Sequence, residues 1–238
     1  MAESEKSFSD RAQKARGLHD AAEEFAPVYA PPSGGTTLAA FMTKITACEG
    51  LNNAVGGNDV VWSDSVTQRI TLTKTIKATT TQLINYIKSS STWKSKLPAA
   101  QRYANAIRGM KPPLKPLPPP PPGTPAKKRR ERGGQSFAEL ETNWRGLVTL
   151  ATGLPGFAPT DLKIQAGTLG GLLSALKGLN DAIPGQEAAL SESQQDRFKA
   201  FYQPELGLED LFQSVKTTVK GNYGSTSSQW AQVKGMKW

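Results

Sequence analysis

Residues 107–112 read IRGMKP, and nearly the same phrase, VKGMKW, returns at residues 233–238. The two stretches belong to a longer self-similarity, because the chain aligns with itself at an offset of about 128 residues with two short gaps. The matching pairs run in the same order along both halves: SF at 7–8 and 136–137, RGL at 16–18 and 145–147, YAP at 29–31 and FAP at 157–159, GLNNAV at 50–55 and GLNDAI at 178–183, LINYIK at 83–88 and LFQSVK at 211–216. This order predicts a tandem duplication, and residues that the alignment pairs are called equivalent positions below.

Apolar residues recur every three or four positions in both halves, which predicts amphipathic helices. The first helix carries Phe8, Ala12, Ala15 and Leu18 in one half, and its counterpart carries Phe137, Leu140, Trp144 and Leu147. A second stripe holds Leu38, Phe41, Ile45, Cys48 and Leu51, echoed by Leu169, Leu173, Leu176 and Leu179. The threonine-rich stretch 70–81 is β-branched, but its equivalent, FKAFYQPELGLE, has no strand character, so we predict a helix there too.

Cap residues predict where these helices begin and end. Serine accepts a hydrogen bond from a first-turn amide, so Ser7 and Ser136 are expected to cap the first helix of each half. A separate third helix is expected to begin at Ser63 or Asp64, and its counterpart at Ser191. In each half, a glycine in the left-handed conformation is expected to end the last helix, at Gly109 and Gly235.

The predicted fold class is therefore all-α, with two tandem antiparallel bundles of four or five helices each. The first bundle would span residues 1–111 and the second, its repeat, residues 134–238. Between them, residues 112–133, PPLKPLPPPPPGTPAKKRRERG, read as a semi-rigid proline spacer followed by a basic run. The PxxP spacing also suits recognition by SH3 or WW modules, although a spacer alone is the preferred interpretation.

The chain carries 29 Lys and Arg against 20 Asp and Glu, a net charge of +9. Residues 1–111 contribute +5, residues 112–133 contribute +5 and residues 134–238 contribute −1. Neither half presents an obvious basic face by this count, so contact with a polyanion is assigned to the linker. The candidate residues are Lys127, Lys128, Arg129, Arg130 and Arg132. A charge block that merely keeps the proline-rich segment soluble is the preferred interpretation of this run, and a nuclear-import signal is a further alternative.

Composition excludes several function classes. Cys48 is the single cysteine and His19 the single histidine, which excludes an internal disulfide and multi-cysteine zinc sites. We predict that Cys48 is a buried small apolar residue and that His19 is an ordinary residue at a helix surface or boundary. The sequence holds no phosphate-binding loop, HExxH or GxSxG motif. We therefore predict no catalytic, cofactor or metal site and no enzymatic activity.

Four arginines occupy equivalent positions, Arg16 with Arg145 and Arg69 with Arg197. They could form a quasi-symmetric pair of anion sites, because guanidinium suits bidentate contacts. More often such a side chain lies over the core, which is the preferred interpretation. Among the tryptophans, Trp144 and Trp230 are predicted to lie in the core, whereas Trp62, Trp93 and Trp238 are candidate partner contacts at element ends.

The functional prediction is a non-enzymatic scaffold or protein-interaction module with two similar helical domains, since linked copies raise the effective concentration for a repeated partner. The alternative is a nonspecific nucleic-acid or polyanion binder that uses the basic linker. No stretch is long and apolar enough to span a membrane, and the charged first thirty residues do not resemble a secretory signal. These features predict a cytoplasmic protein without membrane contact.

Overall fold

The computed structural model describes residues 5–25, 29–110 and 136–238. Every regular element in these ranges is a helix, which confirms the all-α prediction, and no strand occurs in them. No helix within these ranges is both long and apolar enough to cross a membrane. The α-helices are α1 (Glu5–Glu23), α2 (Leu38–Ser89), α3 (Leu97–Ile107), α4 (Phe137–Thr152), α5 (Ala166–Tyr202), α6 (Leu208–Tyr223) and α7 (Ser228–Lys234), with 3₁₀ helices at Ser91–Lys96 and Leu162–Ile164.

Two compact units make up the molecule. Unit 1 combines Met1–Ser63 with Gly185–Trp238, and unit 2 is Asp64–Pro184. Helices α2 and α5 each run from one unit into the other. Each unit therefore takes helices from both halves of the sequence. This division differs from the boundaries 1–111 and 134–238 that the self-alignment suggests.

Unit 2 is built around the second part of α2, the first part of α5, and helices α3 and α4. Its core joins Ile84 and Ile87 of α2 to Trp144 and Leu147 of α4. Helix α3 buries Ala100, Ala104 and Ile107. The two alanines are small and allow α4 to pack close to α3.

Unit 1 has a separate core of the same kind. Helix α1 buries an apolar stripe that includes Phe8 and Leu18, and α6 buries Phe212 and Val215 against it. Phe201, near the end of α5, is fully buried in the same core. Burial of Cys48 in this core confirms the prediction made for it.

The predicted break near residue 63 is wrong, because α2 continues without interruption for 52 residues. Ser63 and Asp64 lie inside α2, and Ser191 lies inside α5. A break would leave up to four carbonyls at the end of the first helix and up to four amides at the start of the next one without helical partners. Extending a helix that already exists adds one hydrogen bond per ordered residue, so continuation is favoured even through Gly56 and Gly57.

Of the helix caps predicted for the first and last helices of each half, two are found in the structure and two are not. Ser136 caps α4 with a full capping box, in which Ser136 Oγ accepts from the Glu139 amide at 3.1 Å. Ser7 lies within α1, which begins at Glu5, so its predicted cap role is wrong. Gly109 adopts the left-handed conformation with φ of 77°, as predicted, whereas Gly235 has φ of −79° and does not.

The helices on either side of the proline-rich segment belong to the same unit. Residues 112–133 lie outside the described residues, but the helices before and after them, α3 and α4, pack against each other in unit 2. The segment therefore joins two helices of one unit. The sequence interpretation made it a spacer between two independent bundles, because it assumed that each half closes on itself.

Gly146 permits the close approach of α3 and α4. A Cβ atom at this position would lie 2.5 Å from Cε1 of Tyr103, whereas a Cβ at the equivalent Gly17 of α1 would meet nothing within 4 Å. We expect Gly146→Ala to lower the free energy of unfolding by about 1–2 kcal/mol through overpacking. Gly17→Ala is the matched control and should raise it by about 0.5–1 kcal/mol through helix propensity.

Urea unfolding of the two glycine variants beside the wild-type protein measures both changes. Equal changes in the two variants would show that α3 and α4 do not pack as closely as the structure places them.

Candidate functional site

The four predicted arginines all make contacts within the protein. Arg16 donates to Glu49 through Nε at 3.1 Å and through Nη2 at 2.6 Å, a bidentate pair. Its hydrogen bond and charge interaction with Glu49 raise the pKa of the Arg16 guanidinium. Arg145 donates from Nη2 to Glu141 at 2.6 Å along the same face of α4. In both cases a carboxylate of the same chain occupies the position that an external anion would take.

Arg69 and Arg197 lie over phenyl rings in equivalent arrangements. The Arg69 Cζ atom is 3.8 Å from the ring centroid of Phe137 in unit 2, and the Arg197 Cζ atom is 4.1 Å from that of Phe8 in unit 1. Phe8 and Phe137 are themselves equivalent positions. Burial lowers the pKa of Arg69, and Arg197 is only 4% exposed. Both contacts are cation–π interactions, and the one in unit 1 is buried, where such interactions are strongest.

Directly after each of these arginines stands an exposed apolar side chain. Ile70 is 45% exposed and Phe198 is 57% exposed, and these are equivalent positions too. Phe198 lies beside Tyr202, with ring centroids 4.9 Å apart. Isolated exposed apolar residues are common on any protein surface. Large ones that recur at equivalent positions indicate a surface that contacts a partner.

A shallow groove follows α2 in unit 2, with a volume of about 410 Å³. Its walls are Thr71, Leu72 and Thr75 on α2, facing Leu172 and Leu179 on α5. The Thr75 hydroxyl donates to the Thr71 carbonyl at 3.2 Å, so its donor capacity is used within the helix. The groove therefore offers mainly methyl and methylene groups to a partner.

Unit 1 has an open groove on the equivalent stretch of α5, with a volume of about 310 Å³. Gln195 and Lys199 line it at the positions equivalent to Thr67 and Thr71, and Phe198 forms part of its wall. The two grooves share their place in the repeat, but the one in unit 1 is more polar and has an aromatic side chain.

The single histidine and cysteine are both buried in unit 1. The prediction for His19 is wrong, since its residue exposure is 6% and its Nδ1 lies 3.2 Å from Asp20 Oδ1. Asp20 and Glu23 place carboxylate oxygens near that nitrogen. These three atoms are of the kinds that bind metal ions, and they lie within 4.8 Å of one another. Burial raises the pKa of the Cys48 thiol to about 11, so the thiol is protonated at neutral pH.

The tryptophans differ partly from expectation. Trp144 is fully buried, as predicted, and Trp230 packs half-buried against the unit 1 core. Trp93 is also buried, with Nε1 donating to the Pro155 carbonyl at 3.1 Å, so it is not a partner contact. Trp238 packs on Phe212, with ring centroids 5.4 Å apart. Trp62, half-buried, lies inside α2 and not at an element end.

The candidate polyanion residues of the linker, Lys127, Lys128, Arg129, Arg130 and Arg132, lie outside the described residues. Comparison with protein-family models, with curated proteins and with solved structures finds no match to the chain. Function is therefore inferred from the residues of this chain.

Proposed function

We propose that the protein is a non-enzymatic interaction module with two similar contact faces, one in each unit. The observation that carries this proposal is the matched exposure of Ile70 and Phe198, each of which follows an arginine that lies over a phenyl ring. Phe198 also lines the groove of unit 1. Two linked faces bind a partner with repeated features more tightly than one face does, because the second contact forms at high effective concentration.

The same contacts support a duplicated origin for the chain. Equivalent positions are buried in pairs, Leu18 with Leu147 and Cys48 with Leu176, and every member of these pairs has 0% exposure. We infer that residues 1–111 and 134–238 are copies of one helical unit that have exchanged their C-terminal parts. The first part of one copy then packs with the last part of the other, as Phe8 does with Arg197.

Substitution of the two matched residues tests the interaction proposal. Full-length protein is immobilised, and bound protein is identified by mass spectrometry and then titrated by biolayer interferometry. For a two-face partner, Ile70→Ser and Phe198→Ser should each weaken binding by about tenfold or more, and the double variant by more than either. The matched control is Val60→Ser, because Val60 is 59% exposed and has no large apolar equivalent, Ala188 standing at the paired position.

Binding that is unchanged in the double variant would refute the two-face proposal. Binding that responds to only one of the two substitutions would restrict the function to a single face.

A further inference from the structure

The net positive charge of the described residues is concentrated in unit 2. The net charges of the two sequence halves do not show this, because each unit contains parts of both halves. Residues 65–110 contain eight Lys and Arg and no Asp or Glu. Over the described residues, unit 2 carries eleven basic and five acidic side chains, whereas unit 1 carries eleven basic and thirteen acidic ones. The described residues thus divide into a basic unit and a slightly acidic unit.

Three of these lysines form a stripe on the exposed side of α2. At 100° per residue, Lys74, Lys77 and Lys88 lie within an arc of about 60° and span about 21 Å of helix. All three are exposed, and the opposite side of α2 carries the core residues Ile76 and Leu83. The stripe is therefore presented to solvent by a helix that the core holds in place.

Helix α3 adds a fourth cation to this stripe. Arg108 Nη2 donates to Thr81 Oγ1 at 3.0 Å, and Thr81 lies on the stripe between Lys77 and Lys88. The uncharged Asn85 on this side is exposed as well, whereas the Thr81 hydroxyl donates to the Lys77 carbonyl at 3.3 Å. Side-chain amides interleaved with cations are among the usual donors to phosphate and sugar oxygens.

We propose that the α2–α3 basic stripe, Lys74, Lys77, Lys88 and Arg108, binds the phosphate backbone of a nucleic acid without sequence preference. The stripe is one-signed and linear, as the phosphates of a strand are, and no carboxylate in residues 65–110 opposes it. An interfacial membrane helix would need an exposed apolar face, but the apolar face of α2 is buried in the unit 2 core. This proposal assigns a separate activity to unit 2, although Ile70 lies one turn before Lys74 on the same side of α2.

Fluorescence anisotropy with a labelled 20-base-pair DNA duplex, titrated with the full chain at several salt concentrations, tests the proposal. The triple variant Lys74→Gln, Lys77→Gln, Lys88→Gln should weaken binding about tenfold or more near 100 mM salt. It should also make the slope of log K against log salt shallower by about 2.7, since each phosphate contact contributes about 0.9. Circular dichroism confirms that the variant keeps its helices.

The control variant Lys14→Gln, Lys234→Gln, Lys237→Gln removes the same charge from exposed positions of unit 1. It should leave the salt slope unchanged, and equal losses in the two variants would overturn the proposal in favour of a net-charge effect. Retained affinity in the stripe variant, with loss only when residues 127–132 are replaced by Ser and Gly, would overturn it in favour of the linker.

Two further probes separate the classes of polyanion. Phosphatidylserine vesicles and polyglutamate are titrated under the same conditions as the duplex. Stripe-dependent binding to either of them without binding to DNA would overturn the assignment to nucleic acid. Stripe-dependent binding that is strongest for DNA would support it.

Discussion

Val60→Pro is expected to lower the free energy of unfolding by about 3 kcal/mol or more. Val60 lies inside α2, 59% exposed, so the loss of its side chain from the surface has little effect by itself. Proline removes the amide that bonds to the carbonyl of Gly56, and its ring clashes with that carbonyl. Thermal and urea unfolding followed by circular dichroism at 222 nm measure the loss of both stability and helix.

Val60→Ala is the matched control for this substitution. Alanine has a higher helix propensity than valine, so this variant should be as stable as the wild-type protein or slightly more so. If the proline and alanine variants unfolded at the same urea concentration, the chain would contain the break near residue 63 that its capping residues suggest. The pair of variants thus distinguishes one long helix from two short ones.

Phe8→Ala should destabilise unit 1 by about 3–5 kcal/mol, the usual range for removing a buried phenyl group. Phe8 is 4% exposed, and its ring packs edge-on against Phe201 at 5.0 Å between centroids. The substitution also removes the ring over which the Arg197 guanidinium lies at 4.1 Å. Differential scanning calorimetry and urea unfolding report the loss.

Phe8→Leu distinguishes the stability lost by creating a cavity from the stability lost by removing the aromatic ring. Leucine keeps much of the buried volume, so the remaining loss, about 1–2 kcal/mol, reports the contacts of the ring with Arg197 and Phe201 together. Phe137→Ala in unit 2 should cost less than Phe8→Ala, because Phe137 is only partly buried. A Phe8→Ala variant as stable as the wild-type protein would show that α1 does not pack on the end of α5.

The helices and their buried faces could be predicted from the sequence because periodicity is a local signal. The stripe from Phe8 to Ala22 is buried as its spacing indicates. The same spacing contains the signal that was missed for His19, which lies three residues before Ala22 and four after Ala15. Trp93 could not be placed this way, because its burial depends on a 3₁₀ turn and a hydrogen bond to Pro155, 62 residues away.

The pairing of helices could not be predicted, because duplication makes it ambiguous. Each half offers an equivalent apolar stripe, so a helix such as α1 can be covered either by its own half or by the other one. Which half covers α1 depends on whether α2 ends and turns back near residue 63 or continues. The capping residues Ser63 and Asp64 favoured a turn there. The basic stripe was missed for a related reason, since the acidic first 64 residues offset residues 65–111 in a count made over the whole half.

The division of unit 1 between the two ends of the chain has a consequence for how the protein is made. Unit 2 is contiguous, so all of its residues have been synthesised once translation has passed Pro184. Phe8, by contrast, reaches its partner Phe201 only when almost the whole polypeptide has left the ribosome. Domains generally fold as units during synthesis. We therefore expect nascent chains that end at residue 184, followed by a stalling linker long enough to fill the ribosome exit tunnel, to resist protease within unit 2 while α1 is still cleaved. Equal protection of both would refute this order.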